Sequence, residues 1–284
     1  MQEHVYGKNK IFFSPQQGKY FNHLRSGKSR KVFDSLNKKF ELTKTRQYLD
    51  CGSAFGTEAL QFTDVFNEIH CFEPVSYTYK FLEKSAQQHD NVFTYNVALS
   101  SYFGETELSI NYANLQSSSL LKNRHDDKSE HTNIERVKVV PLDSYNFDRV
   151  DFIKIDVEGI EKDFLVGAKE TLTNNYSLVR IEITENHEEV LDILRSYEYE
   201  PICFDVDGHE FEIKNDLFFK QFNGLVYWNS NQISIKPSFF ISGKGFKSAN
   251  ENAIIVDKRQ MQHFPVSPLG FNPCQGDFWF LKKR

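Results

Sequence analysis

Residues 151–161 read Asp-Phe-Ile-Lys-Ile-Asp-Val-Glu-Gly-Ile-Glu. An apolar strand (Phe152, Ile153, Ile155) runs directly into Asp156 and Glu158. Gly159 then turns the backbone, and a helix-like segment follows with Ile160, Phe164, Leu165, Ala168 and Leu172. In open α/β sheets the carboxyl end of a buried strand is where ligands bind. Carboxylates are costly to hold there unless something uses or pairs them. One use is general base catalysis, in which a carboxylate takes the proton of an acceptor hydroxyl. The candidates are Asp156, Glu158, Glu182, Glu185 and His187. Asp156 comes first, because the strand end aims it at the crevice. Its other roles are an N-cap or an acid that orients a ligand amine. Glu158 is equally suited to the N-terminus of the following helix. Glu182 alternates with Ile181 and Ile183 and so takes the opposite face. His187 has the unperturbed pKa of a base, though a capping or surface role is the ordinary one. Asp156, Glu158 and Glu182 could supply oxygen ligands to a divalent metal, but nothing fixes a ligand set and no metal is predicted.

A second constellation lies earlier. Asp50-Cys51-Gly52-Ser53-Ala54-Phe55-Gly56 falls between a strand and a helix-like stretch. Glycines there let the backbone approach a ligand closely. The dinucleotide fingerprint Gly-x-Gly-x-x-Gly is absent, and so is a phosphate-loop Gly-Lys-Ser/Thr ending. An acid at the strand end disfavours a pyrophosphate and suits a ligand with an ammonium group. S-adenosyl-L-methionine is such a ligand. The next strand ends at Glu73, twenty-one residues after Gly52, a spacing that suits an acid gripping ribose hydroxyls.

With these residues on the page, the chain resembles the FkbM-type S-adenosylmethionine-dependent methyltransferases. The resemblance rests on Asp50-x-Gly-x-x-x-Gly56, Phe72-Glu73-Pro74, Ala98-Leu99 followed by Gly104, Ser118-Ser119-Leu120, Leu142-Asp143, the Asp151–Glu161 block, Gly167-Ala168 and Glu182. It covers roughly residues 46–200. It implies a class I methyltransferase (Rossmann-like) fold: a mostly parallel seven-stranded sheet with one antiparallel strand and helices on both faces. It also implies O-methylation, commonly of sugar or polyketide-like hydroxyls. Carried over, Asp50, Gly52, Ser53 and Gly56 would face the methionine end of the cofactor, and Glu73 would hold the ribose. Asn96, Ala98 and Leu99 would lie near the adenine, and Asp156 near the transferred methyl. One departure is Ser53-Ala54-Phe55, where the family has an asparagine in the first turn; Phe55 is placed to narrow the pocket. A nucleic-acid base methylase would carry Asn/Asp-Pro-Pro-aromatic where Ile-Asp-Val-Glu-Gly stands, which argues against base methylation.

The elements that must position these residues follow from pattern. Helical spacing of Tyr20, Phe21, Leu24, Val32, Phe33 and Leu36 predicts helices over 18–40, split near Gly27. Strands are predicted at 47–51, 68–72, 92–97, 104–110, 136–140, 151–155, 178–183 and 201–206. Helices are predicted at 57–66, 76–88 with Ser76 as N-cap, and 188–197. Strand and helix alternate through the middle, which implies a doubly wound α/β sheet. The last strand has two candidates, Gly224–Trp228 and Ala253–Asp257, of which the second is preferred. The domain scheme is then an N-terminal helical extension (1–45), a cofactor-binding core (46–206), an insertion or cap (207–251), and a last core strand with a C-terminal extension (252–284).

The 284 residues are 39% hydrophobic and 26% charged, ordinary for a soluble globular chain with a sizeable core. No apolar run approaches bilayer length, and residues 1–8 lack a signal-peptide core, so the expected location is cytoplasmic. The four cysteines form no Cys-x-x-Cys pair, and buried reduced thiols are expected. Residues 1–46 carry eleven Lys and Arg against three acids, and residues 230–284 eight against three. Such ends could meet an anionic partner, but solvated surface, or packing against the acidic middle, is preferred, so nucleic acid is not an expected partner. The expected partner is a small-molecule or glycan acceptor. C-terminal aromatics, among them Trp228, Phe239, Phe264, Phe278, Trp279 and Phe280, are read mainly as packing, with sugar stacking as the alternative.

Overall fold

A computed structural model describes residues 2–6, 9–13, 28–40, 42, 46–111, 132–183, 187–206, 209–212, 232–235, 239–242, 245–248, 254–257 and 277–283. The chain opens with a hairpin, β1 (Gln2–Tyr6) and β2 (Asn9–Phe13), before helix α1 (Lys28–Phe40). The N-terminal extension is therefore not wholly helical. Ile11 and Phe13 of β2 are buried, and the alternation that buries them is too short to separate from a helical pattern.

The strands and helices that build the core follow in order. They are β3 (Gln47–Cys51), β4 (Glu68–Phe72), α2 (Ser76–Ala86), β5 (Val92–Tyr95), β6 (Ala98–Leu99), β7 (Gly104–Asn111), β8 (Thr132–Val140) and β9 (Val150–Ile155). Next come α3 (Glu161–Gly167), α4 (Lys169–Asn174), β10 (Leu178–Glu182), α5 (His187–Ser196), β11 (Tyr199–Val206) and β12 (His209–Glu212). After them stand β13 (Gln232–Ile235), β14 (Phe239–Ser242), β15 (Gly245–Ser248), β16 (Ile254–Asp257) and β17 (Asp277–Lys282). The central sheet runs β12-β11-β17-β10-β9-β3-β4-β5. β5, β4, β3, β9 and β10 pair in parallel, and β17 is antiparallel to both β10 and β11. This is the expected seven-stranded class I arrangement, with β12 as an additional edge strand antiparallel to β11. β6, β8 and β7 form a separate three-stranded sheet.

The strand that completes the central sheet is β17, not Ala253–Asp257. β16 pairs with β13 in a sheet of its own, and Gly224–Trp228 lies outside the described residues. β17 reads Asp-Phe-Trp-Phe-Leu-Lys, and Phe278, Trp279, Phe280 and Leu281 are all buried. A central strand buried on both faces shows no alternation, so its pattern does not announce a strand. The central sheet thus takes in Asp277–Lys282 and the β11–β12 hairpin to Glu212.

Two further expectations change. The segment after Gly56 is a 3-10 turn over Ala59–Phe62 rather than an α-helix from Thr57 to Phe66. All four of its residues are buried, so packing rather than an amphipathic period shapes it. Helix α2 is capped at Val75, not Ser76, with no side-chain bond from the cap residue. Its first amides are met by one local and one distant carboxylate: Val75 N donates to Glu73 Oε1 at 2.8 Å, and Ser76 N to Glu135 Oε1 at 3.1 Å. Negative charge at a helix start is favourable.

The sheet buries both faces. On one, Val32, Phe33 and Leu36 of α1 pack with Tyr48, Phe62, Phe66, Phe152 and Trp279. Phe152 and Trp279 stack at 5.6 Å with parallel planes. On the other, Phe164, Leu165, Leu172, Val190 and Leu194 cover Leu49, Ile153, Val179 and Phe280. Cys51 and Cys71 are buried free thiols; the side chain of Cys203, and Cys274 entirely, lie outside the described residues. Among the described residues no helix is long and apolar enough to cross a membrane.

Candidate functional site

Two turns meet at the carboxyl ends of β3 and β9. In the first, Gly52, Ala54 and Gly56 have φ of 89°, 47° and 74°; in the second, Glu158 and Gly159 have 57° and 102°. Positive φ at a non-glycine residue such as Ala54 or Glu158 is uncommon and gathers at functional sites. The first turn is held by Gly52 N and Ser53 N, which both donate to Phe72 O at 3.1 and 2.9 Å. Ser53 Oγ donates to Asp50 O at 2.7 Å, and Gly56 N to Ser53 O at 2.7 Å. Asp156 N donates to Cys51 O at 2.9 Å and joins the two turns.

Glu73 follows β4 and is 6% exposed. Its Oε2 accepts from Ala54 N at 3.0 Å and its Oε1 from Val75 N at 2.8 Å. A carboxylate offers about four lone-pair sites, so two remain open when Glu73 is ionised. Burial pushes its pKa up to about 8 against the pull of the two amides. Asn96 is exposed, and its Nδ2 donates to Glu73 O at 2.9 Å and to Pro74 O at 3.0 Å, pinning the turn after β4. Ala98 and Leu99 are each 3% exposed within β6. Phe55 turns inward, 1% exposed and edge-on to Phe81 at 5.8 Å. It does not stand in the crevice as its position in the sequence had implied.

Beneath the turns lies a layer of buried charge. Lys154 of β9 donates from Nζ to Gly52 O at 3.1 Å and to Asp156 Oδ2 at 3.2 Å, with Asp50 Oδ1 at 3.4 Å. Asp50 is completely buried, and desolvation raises its pKa to about 6 although Lys154 pulls the other way. The cation that Asp50 calls for is thus supplied by the chain itself. That corrects the expectation that its charge selects a cationic ligand. One strand over, Arg180 pairs with Glu58 and Asp277 and lies 5.6 Å over the Trp279 ring. Glu182 sits two residues beyond Arg180 and opposite Asp277. Burial, then the charges of Asp156, Asp277 and Glu158, raise its pKa well above the carboxylate range. Asp156 itself remains 30% exposed. Glu158 is half-buried.

The methyltransferase FkbM domain matches residues 50–201 of this chain, more than half of its length. The chain belongs to the FkbM methyltransferase family. No curated protein matches it. Among solved structures it is similar to methyltransferase FkbM from Methylobacillus flagellatus KT at 13% identity and a TM-score of 0.41. That match covers 68% of this chain and 52% of the other, so the chain spans about half the length of that relative. It is also similar to precorrin-6y C5,15-methyltransferase from Geobacter metallireducens GS-15 (7% identity, 91% of this chain and 88% of the other, TM-score 0.41). A third is TYW2 of P. horikoshii in complex with MeSAdo (12% identity, 99% and 72%, TM-score 0.40). At such identities likeness does not reach the substrate.

In this FkbM-family chain the fold brings Gly52, Ser53, Gly56, Glu73, Asp156 and Glu158 to one end of the sheet, and Glu182 with them. His187 begins α5, but its side chain and the whole of Glu185 lie outside the described residues. Lys154, Glu58, Arg180 and Asp277 are the members that sequence reasoning missed. Their signal was present: a lysine and an arginine each interrupt an otherwise apolar strand (Phe-Ile-Lys-Ile, Leu-Val-Arg-Ile). Among the described residues no group of three or more His, Cys, Asp or Glu is arranged to hold a metal ion. A polar cleft of about 470 Å³, lined in part by Arg46, Asn146, Arg149, Asn175 and Tyr176, opens at the opposite end of the strands. It contains none of the predicted site residues.

Proposed function

We propose that this protein is an S-adenosyl-L-methionine-dependent O-methyltransferase acting on a hydroxyl of a carbohydrate or glycoconjugate. One observation carries the reading: the glycine turn after β3, the acid after β4 and the acid after β9 converge at one end of the sheet of an FkbM-family chain. The buried Glu73, with two backbone donors and two open lone-pair sites, fits a ribose diol. The left-handed turn at Gly52 fits a close backbone approach.

The cofactor supplies a methyl group on a sulfonium, a leaving group that needs little further activation. The work left to the chain is to bind, align and remove one proton. Glu73, ionised, would accept from the ribose hydroxyls. Gly52 and Ser53 would line the methionine end, where Asp156 would meet an ammonium, and Asn96 would stand on the adenine side. We assign the acceptor's proton to Glu182 rather than Asp156. Asp156 is already engaged by Lys154, which leaves the carboxylate of Glu182, at the end of the neighbouring strand, to take the proton in its ionised form.

The carbohydrate acceptor rests on the family resemblance. Against nucleic acid stand basic groups that are already paired: Arg30 with Asp34 and Asp64, and Arg46 with Asp151. A cytoplasmic setting fits the free thiols Cys51 and Cys71. Isothermal titration with S-adenosylmethionine, and with NAD as a control, tests the cofactor. A screen of glycans, then of polyketide-like and lipid-linked alcohols, with methyl-labelled cofactor tests the acceptor. Binding of NAD but not S-adenosylmethionine would sink the reading. Label transferred to RNA and to no hydroxyl compound would overturn the acceptor class.

A further inference from the structure

Lys154 is 6% exposed and lies in a strand whose neighbours Phe152, Ile153 and Ile155 are fully buried. An ammonium has three protons to place. Three oxygens lie within 3.4 Å of it: Gly52 O, Asp156 Oδ2 and Asp50 Oδ1. They are not equivalent. The hydrogen bonds go to Gly52 and Asp156, one in each of the two turns that frame the crevice. Asp50 Oδ1, on the register partner in β3, is the farthest of the three. A lysine that only neutralised Asp50 would have no need to bridge the two turns. Arg180, the register partner on the other side, has its own carboxylates in Glu58 and Asp277 and leaves Lys154 to the turns.

We propose that Lys154 is a positioning residue for the cofactor's methionine end: it ties the Gly52 carbonyl to the Asp156 carboxylate and so presents Asp156 to the ligand's ammonium in one orientation. Without it, the single backbone bond from Asp156 N to Cys51 O joins the second turn to the end of β3, and the Asp156 carboxylate is free to rotate. Burial lowers the ammonium's pKa, but Asp156, Asp50 and Glu58 outweigh it and the net shift is upward. The tie therefore holds across the working pH range.

The inference rests on the S-adenosylmethionine reading, and wild-type protein titrated with S-adenosylhomocysteine tests that reading separately. The test proper is a double-mutant cycle in affinity for S-adenosylhomocysteine. It is run in an Asp50→Asn background, so that removing the lysine leaves no buried carboxylate beside it. The four proteins are Asp50→Asn alone, with Lys154→Met, with Asp156→Asn, and with both; circular dichroism checks that each is folded. Asp50→Asn alone supplies the reference affinity of the cycle. Lys154→Met should then weaken binding roughly tenfold, a typical coupling between contacting polar groups. In the Asp156→Asn protein the same change should cost less than about twofold, because the group through which Lys154 acts is gone. A purely structural lysine would lower stability but leave the affinity of the folded protein alone, and that result overturns the proposal. So do additive losses in the cycle. No binding by wild type overturns the cofactor reading and this inference with it.

Discussion

A methyl group added to Gly52 would come within 1.8 Å of the Asp156 carbonyl oxygen. The two residues touch backbone to backbone, from the turn after β3 to the turn after β9. Gly52 has φ +89°, where a side chain is strained in any case. Gly52→Ala should therefore cost upwards of about 2 kcal/mol and displace the second turn. Gly56→Ala meets only the movable Leu82 side chain, at 2.6 Å, and should cost about 1–2 kcal/mol for its left-handed backbone. Urea titration of the two variants checks the order. Equal losses would mean that the contact with Asp156 yields easily.

Glu73 makes stability depend on pH. Its folded pKa of about 8 exceeds the ordinary 4.5 because burial disfavours the charge. The folded state then binds more protons than the unfolded one between these values. Stability is full below about 4.5 and is lost as pH rises through about 8. Asp50, raised to about 6, contributes in the same direction, so the test is a difference. Glu73→Gln should fall less in stability than wild type between pH 5 and pH 9, as read from urea midpoints. Parallel curves would show that Glu73 is ionised throughout.

Turnover separates the two carboxylates of the crevice. Glu182→Gln should lower turnover roughly a hundredfold and leave S-adenosylmethionine affinity within about threefold. Asp156→Asn should instead weaken cofactor binding, with a smaller effect at saturation. The measurement is kcat and cofactor affinity on an acceptor found by the labelled screen. The reverse pattern would return the base role to Asp156.

Trp279 joins the C-terminal strand to the site. It is fully buried, stacked on Phe152, and lies beneath Arg180. Trp279→Ala should cost about 3–5 kcal/mol, seen as a lower urea midpoint. Ending the chain before Asp277 removes a strand from between β10 and β11 and should abolish cooperative unfolding. A truncated chain with a sharp transition would show that the sheet closes without it.

What the sequence determined by itself is local. Short apolar runs bounded by turn residues marked β3, β4, β9 and β10, and the acids and glycines that end them marked the ligand edge. Those signals lie within a few residues of one another, so chain order alone carries them. Tertiary structure decided what depends on register and burial. It selected Asp277–Lys282 as the seventh core strand, because a strand buried on both faces has no period to read. It set Lys154 opposite Asp50, across 104 residues of chain, through the pairing of β9 with β3. It turned Phe55 into the core and closed Glu73 under two backbone amides. Charge and shape at such points are set by neighbours distant in sequence, and only the packed sheet brings those neighbours together.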